Sequence, residues 1–177
     1  MGRRSEFERR PQDKYYTPES AVLPLLPHLA PNTQFIEPCA GDGRLVRFLE
    51  RRGHKCQDAF DIEPDHPEVE EADALKGTYI TMPDDVCITN PPWRRDIFHP
   101  FLIKWRALMP TWVLHDANWL FTKQAGPFLP YVRKIVVIGR VRWIEGSKMT
   151  GKDDSVWTLH MATPGQTEFY GRPDKWT

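Results

Sequence analysis

The sequence predicts an α/β fold, a mostly parallel sheet with helices on both faces and one antiparallel strand near an edge. Three observations carry this. Short apolar runs alternate along the chain with segments of helical spacing, the pattern of successive strand–helix units. Three of those runs stop abruptly in polar turns rich in glycine or proline, at residues 37–43, 61–64 and 90–93. The last two apolar runs are joined by residues 139–155, which show no helical pattern. A parallel crossover usually contains a helix, so the final strand is expected to run antiparallel.

The elements follow in order. Residues 1–14 are polar and charged and read as an arm, with residues 15–177 as a single domain. Thr17-Pro18-Glu19 looks like a helix start, with Thr17 as cap, and Pro24 and Pro27 keep that helix short or irregular. Phe35-Ile36 begins a buried strand ending near Glu37-Pro38. Cys39-Ala40-Gly41-Asp42-Gly43 is a tight turn. Leu45, Val46, Phe48 and Leu49 then space as a helix that Gly53 closes. A second strand spans about residues 56–61, and residues 86–89 form a third, stopped at once by Asn90-Pro91-Pro92-Trp93. Ile97, Phe98, Phe101, Leu102, Trp105 and Leu108 mark a helix stripe. Residues 112–114 are a strand, 123–131 a loose helix, 135–138 a buried strand and 156–161 the last one.

Composition narrows the function classes. The chain has 177 residues, 24 Lys+Arg against 24 Asp+Glu, 40% apolar and 27% charged residues, which suits one globular domain. Its longest apolar runs fall far short of the roughly 20 residues that span a bilayer, so no membrane partner is expected. The start MGRRSEFERR has no apolar core behind it and is not read as a secretory signal. Cys39, Cys56 and Cys87 form no CxxC and suggest a reduced, cytoplasmic compartment. The 6 histidines show no ligand spacing, so no metal site is expected. Zero net charge argues against bulk electrostatic nucleic-acid binding. The charges are nevertheless segregated: residues 58–73 carry acids and no Lys or Arg, while residues 133–152 are basic with Glu145 the one acid.

In such sheets ligands bind beyond the carboxyl ends of the strands. Glycines in residues 37–43 let a backbone approach a ligand, and Glu37 can take an ammonium or a hydroxyl. Val46 stands where a dinucleotide fingerprint has its third glycine, which disfavours a diphosphate and a nicotinamide oxidoreductase. Asp61 ends the second strand, where an acid accepts hydrogen bonds from ribose hydroxyls. Asn90-Pro91-Pro92-Trp93 is the specific signal. The prolines stiffen the turn and lack N–H donors, Asn90 offers a carboxamide, and Trp93 offers an aromatic wall. That arrangement suits a planar group bearing an NH2, stacked on Trp93 as flipped bases are held.

Together these residues resemble the S-adenosylmethionine-dependent amino-group methyltransferases, above all the adenine-N6 DNA methyltransferases in the Dam-like, or gamma, motif order. Asn90–Trp93 is similar to their catalytic (D/N/S)PP(Y/F/W) signature. The resemblance implies a Rossmann-like methyltransferase fold, S-adenosylmethionine as cofactor, and catalysis by Asn90, Pro91, Pro92 and Trp93. It also implies cofactor contacts from Tyr15, Tyr16 and Thr17 in a closing segment, from Glu37, Pro38, Gly41 and Gly43, from Asp61 with Ile62 after it, from Asp73 with Ala74 at the adenine, and from Asn90. Asn90 and the Pro91 carbonyl would accept hydrogen bonds from the target amino nitrogen, and catalysis would rest on positioning and oriented dipoles.

Sequence-specific relatives carry a large target-recognition region, and here only 139–155 and the tail after Ala162 are left for one. Arg140, Arg142, Trp143, Lys148 and Lys152 combine cations with an aromatic and are the expected duplex-DNA contacts. Recognition is then short or relaxed, or comes from a second subunit, which leaves a homodimer open. The C-terminal features look like the small phage-encoded versions of the family, expected in a bacterial or phage-infected host cytoplasm. The proline signature also occurs in enzymes that methylate RNA adenine and the amide of protein glutamine, and a non-catalytic module that kept the fold, anti-restriction or structural, is the remaining alternative.

Overall fold

A computed structural model describes residues 15–144, 146 and 150–172. The expected arm at residues 1–14, and Lys148, lie outside the described residues. The rest forms one eight-stranded sheet in the order β3-β2-β1-β4-β5-β7-β6-β8. Its strands are β1 Gln34–Glu37, β2 Lys55–Asp61, β3 Glu70–Glu71, β4 Val86–Thr89, β5 Thr111–Asp116, β6 Val132–Arg140, β7 Asp154–His160 and β8 Glu168–Tyr170. β7 is antiparallel to both its neighbours, β5 and β6, and every other pair is parallel.

The sheet is the expected one, with β7 placed further in than an edge strand. Ser155, Val156, Trp157, Thr158 and His160 of β7 are all buried. A strand covered on both faces is stable inside a sheet, where both edges are paired. β8 went unread because three residues behind a glycine- and proline-containing stretch give no periodicity. No helix of the described residues is long and apolar enough to cross a membrane.

Strand alternation sorts the core into two layers. Phe35, Ile88, Trp112 and Leu114 face one side, packed with Leu25 beyond helix α1 (Glu19–Val22) and with Leu45, Phe48 and Leu49 of α2 (Arg44–Arg51). Ile36, Cys87 and Val113 face the other, against Phe98, Phe101, Leu102 and Trp105 of α3 (Arg95–Leu108). Two local readings differ. Thr17 is buried and makes no cap; α1 starts from extended Pro18 and passes at once into a 3-10 stretch, Leu23–His28, which contains Pro24 and Pro27. The loose helix expected at 123–131 is two separate 3-10 turns, Lys123–Ala125 and Leu129–Tyr131, because Gly126 and Pro127 interrupt it.

β1, β4, β5 and β6 all end on the same edge of the sheet, where the loop joining β6 to β7 also lies. That edge carries the site.

Candidate active site

The glycine turn after β1 is held by the acid after β2. Gly41 N–H donates to Asp61 Oδ2 at 2.9 Å, and Glu63 N–H to Asp61 Oδ1 at 2.9 Å. Ala40 N–H reaches the Phe60 carbonyl at 3.0 Å. Asp61 is thus first a staple between two loops, with its remaining lone pairs available to a ligand. Gly41 has φ +54°, a left-handed conformation, and a Cβ there would sit 3.2 Å from the Tyr16 ring. Glycine is required on both counts. Tyr16 lies against this turn, its hydroxyl donating to Asp65, whose own N–H bonds the Gly41 carbonyl at 3.0 Å. The segment Tyr15-Tyr16-Thr17 thus lies against the glycine turn.

A cavity of about 380 Å³ opens between these loops and β4. Twelve of the residues picked from the sequence line it: Tyr15, Tyr16, Thr17, Glu37, Pro38, Gly41, Asp61, Ile62, Asp73, Ala74, Asn90 and Pro92. Gly43, Pro91 and Trp93 do not. Gly43 occupies the left-handed N-cap position of α2, and Pro91 is buried in the turn. Among the lining residues not picked from the sequence are Arg44, Leu45, Leu75, Arg94, Ile97 and Phe101. Ile97 and Phe101 are four apart on α3 and were read only as core; their position right behind the Asn90 turn was the available signal.

The acids of this cavity differ in state. Glu37 is 2% exposed and its Oε2 has no hydrogen-bond partner. Burial, with Asp61 and Asp42 nearby, pushes its carboxyl well above the usual range. Asp73 is the opposite case. The Leu75 N–H at 2.9 Å and the Lys76 ammonium at 3.1 Å hold its carboxyl below the usual range. Burial pushes the Cys39 thiol up, which makes it a poor nucleophile.

Asn90 leaves β4 at the far wall. Its Nδ2 donates to the Tyr15 carbonyl at 3.1 Å, and its Oδ1 accepts from Trp93 Nε1 at 3.1 Å. The same indole N–H also reaches the Leu114 carbonyl at 3.0 Å. The indole N–H of Trp93 is therefore turned toward β5, and Trp93 does not line this cavity. Trp143 packs edge-on against it at 5.6 Å between ring centroids, and Tyr15 lies 6.3 Å from Trp143. The aromatic of the basic loop thus reaches the Asn-Pro-Pro-Trp turn.

Arg140 and Arg142 at the end of β6 and Lys152 before β7 are exposed. The loop is pinned at its neck, where Gly151 N–H donates to the Val141 carbonyl at 2.7 Å. Its first and last residues belong to β6 and β7, so the free loop is shorter than the 139–155 read from the sequence. Among the described residues no group of His, Cys, Asp and Glu is arranged to hold a metal ion.

No family model and no curated protein matches the sequence. Solved structures do match. The fold they define is the Rossmann-like fold of class I methyltransferases, and this chain has it. A dimethyladenosine transferase from Plasmodium falciparum aligns over 86% of this chain at 15% identity with a TM-score of 0.54, and the chain spans 63% of that protein's length. The 23S rRNA methyltransferase ErmE aligns over 85% of this chain and 71% of its own, at 15% identity and a TM-score of 0.55. A SAM-dependent O-methyltransferase from Thermotoga maritima aligns over 84% of this chain and 66% of its own, at 8% identity and a TM-score of 0.53. Acceptors differ among these neighbours, so likeness of fold does not choose one.

Proposed function

We propose that the protein transfers a methyl group from S-adenosylmethionine to the exocyclic amino group of adenine in DNA. One observation carries the reading: Asn90 of the Asn-Pro-Pro-Trp turn opens on the same cavity as Glu37, Asp61 and Asp73. The cavity fits the cofactor chemically. The unpartnered, buried Glu37 Oε2 calls for a cationic group, which the ammonium of the methionine moiety would supply. Asp61 would accept from the ribose hydroxyls and Asp73 from the adenine amino group, with Ile62, which is exposed, covering the base. When bound, S-adenosylmethionine supplies an electrophilic methyl on a sulfonium.

Asn90 then acts on the acceptor. Its Oδ1 keeps a lone pair beyond the one used by Trp93, and that pair receives an N–H of the incoming amine. The prolines after it offer no competing donor. Fixing the amine in this way supplies orientation rather than base chemistry. The exposed Arg140, Arg142 and Lys152 suit phosphate contacts.

The test is methyl transfer from isotope-labelled S-adenosylmethionine to unmethylated duplex DNA, followed by nucleoside digestion and mass spectrometry. Label in N6-methyladenine is expected. Label found only with RNA or with glutamine-containing protein would replace DNA as the acceptor. In the same assay Asn90→Ala is expected to lose at least about 100-fold in turnover. Its affinity for S-adenosylhomocysteine, read by calorimetry, should stay within about threefold.

A further inference from the structure

The Asn90 side chain is held at both ends of its carboxamide. The donor at one end is an indole, which can only donate, so the Asn90 atom facing Trp93 is oxygen. The group at the other end is the Tyr15 carbonyl, which can only accept, so the atom facing it is the amide nitrogen. The two contacts therefore fix the same flip of the carboxamide independently of each other. They also leave a defined remainder: one lone pair on Oδ1 and one N–H on Nδ2. Trp93 is itself fixed, because its N–H is shared with the Leu114 carbonyl of the neighbouring strand at 3.0 Å and its ring packs against Trp143. A phenylalanine at this position would keep the ring and lose the donor.

We propose that Trp93 is a positioning residue, whose indole N–H and the Tyr15 carbonyl together clamp the Asn90 carboxamide in its acceptor-ready orientation. The inference rests on Asn90 receiving the acceptor amine. It assigns Trp93 a role through its N–H instead of through stacking on the base. It also gives a reason for asparagine at position 90: an aspartate would place a carboxylate oxygen against the Tyr15 carbonyl, two acceptors with no proton between them. The cofactor-side closing segment and the catalytic turn are thereby joined through one side chain.

The experiment compares wild type, Trp93→Phe and Asn90→Asp in S-adenosylhomocysteine calorimetry and in methylation of duplex DNA. Trp93→Phe is expected to lower kcat by about tenfold or more while KM for DNA and S-adenosylhomocysteine affinity stay within about threefold. Asn90→Asp is expected to lose turnover by a similar or larger factor although it keeps an acceptor toward the indole. A raised KM for DNA with unchanged kcat in Trp93→Phe would show stacking instead and overturn the assignment. Wild-type turnover in Asn90→Asp would remove the Tyr15 half of the clamp. The Asn90 side-chain amide resonances report the clamp without turnover: they should shift in Trp93→Phe, and unmoved resonances refute it. A wild-type protein that binds S-adenosylhomocysteine and leaves DNA unlabelled would overturn the DNA acceptor alone, and one that binds none would overturn the methyl-transfer reading itself.

Discussion

The two ends of the sheet's carboxyl edge are built from opposite materials. Beyond β1 and β2 the wall is acidic, and its carboxylates are tied down: Asp61 by two backbone N–H groups, Asp73 by Leu75 and Lys76. Beyond β6 the surface carries exposed cations, Arg140 and Arg142, with Lys152 across the neck of the loop. The neighbouring strands β5 and β7 carry two buried imidazoles that burial keeps neutral. His115 of β5 and His160 of β7 share the Thr158 hydroxyl, each at 2.9 Å. A net charge of zero therefore hides a segregation of charge. Fixed carboxylates suit a small cationic ligand that must be held in one pose, because rigid acceptors lose little entropy on binding. Exposed flexible cations suit a polyanion bound along its backbone.

The sharpest contrast should come from pH. Burial depresses His115 to about 4 and His160 to about 3, from an ordinary value near 6.5. Their contribution to stability is fully present above pH 6.5 and is lost as pH falls toward the folded values. Each is worth on the order of 2 kcal/mol by pH 4.5. Glu37 has the opposite sign. Its raised folded value means a contribution present below the ordinary carboxylate range and lost as pH rises through the folded value. Chemical denaturation of the empty protein across pH 4.5 to 8 should show a net fall on the acid side. A flat profile would mean that the imidazoles are already charged or solvated, or that the opposing Glu37 contribution cancels theirs. S-adenosylhomocysteine affinity should rise with pH as Glu37 ionises.

A smaller effect isolates the acidic end. Asp61→Asn keeps one acceptor for two backbone donors and turns an NH2 toward the other. S-adenosylhomocysteine affinity should fall about 30-fold by calorimetry, with little change in DNA affinity measured without cofactor. Equal losses in both would mean that the two ends are not separate binding regions.

The smallest effect isolates the basic end. Arg140→Ala combined with Lys152→Ala should reduce the salt slope of duplex DNA binding by about 1.8, as expected for two phosphate contacts. S-adenosylhomocysteine affinity should be unchanged. An unaltered slope would mean that these cations make no phosphate contacts.

Much of this was legible in the chain because it is written in local chemistry. The strand at residues 86–89 and the turn after it were readable since two prolines end a β-run wherever they fall. Gly41 and Asp61 could be paired in advance because adjacent parallel strands bring their ends together. The inward place of β7 was not legible, since its partners are set by which strands can be covered on both faces. The helix stripe alone did not mark Ile97 and Phe101 as lining residues, because such a stripe looks the same whether it meets core or cavity; only their place behind the Asn90 turn pointed to it.

Trp93 shows the boundary between the two kinds of information most clearly. The sequence by itself determined that an amide, two prolines and an aromatic follow a buried strand, since residue order and proline geometry are local. Only the tertiary structure decided which way the indole points. Its N–H finds the Leu114 carbonyl of a neighbouring strand and the Asn90 oxygen, and a buried donor turns toward the acceptors that packing brings within reach.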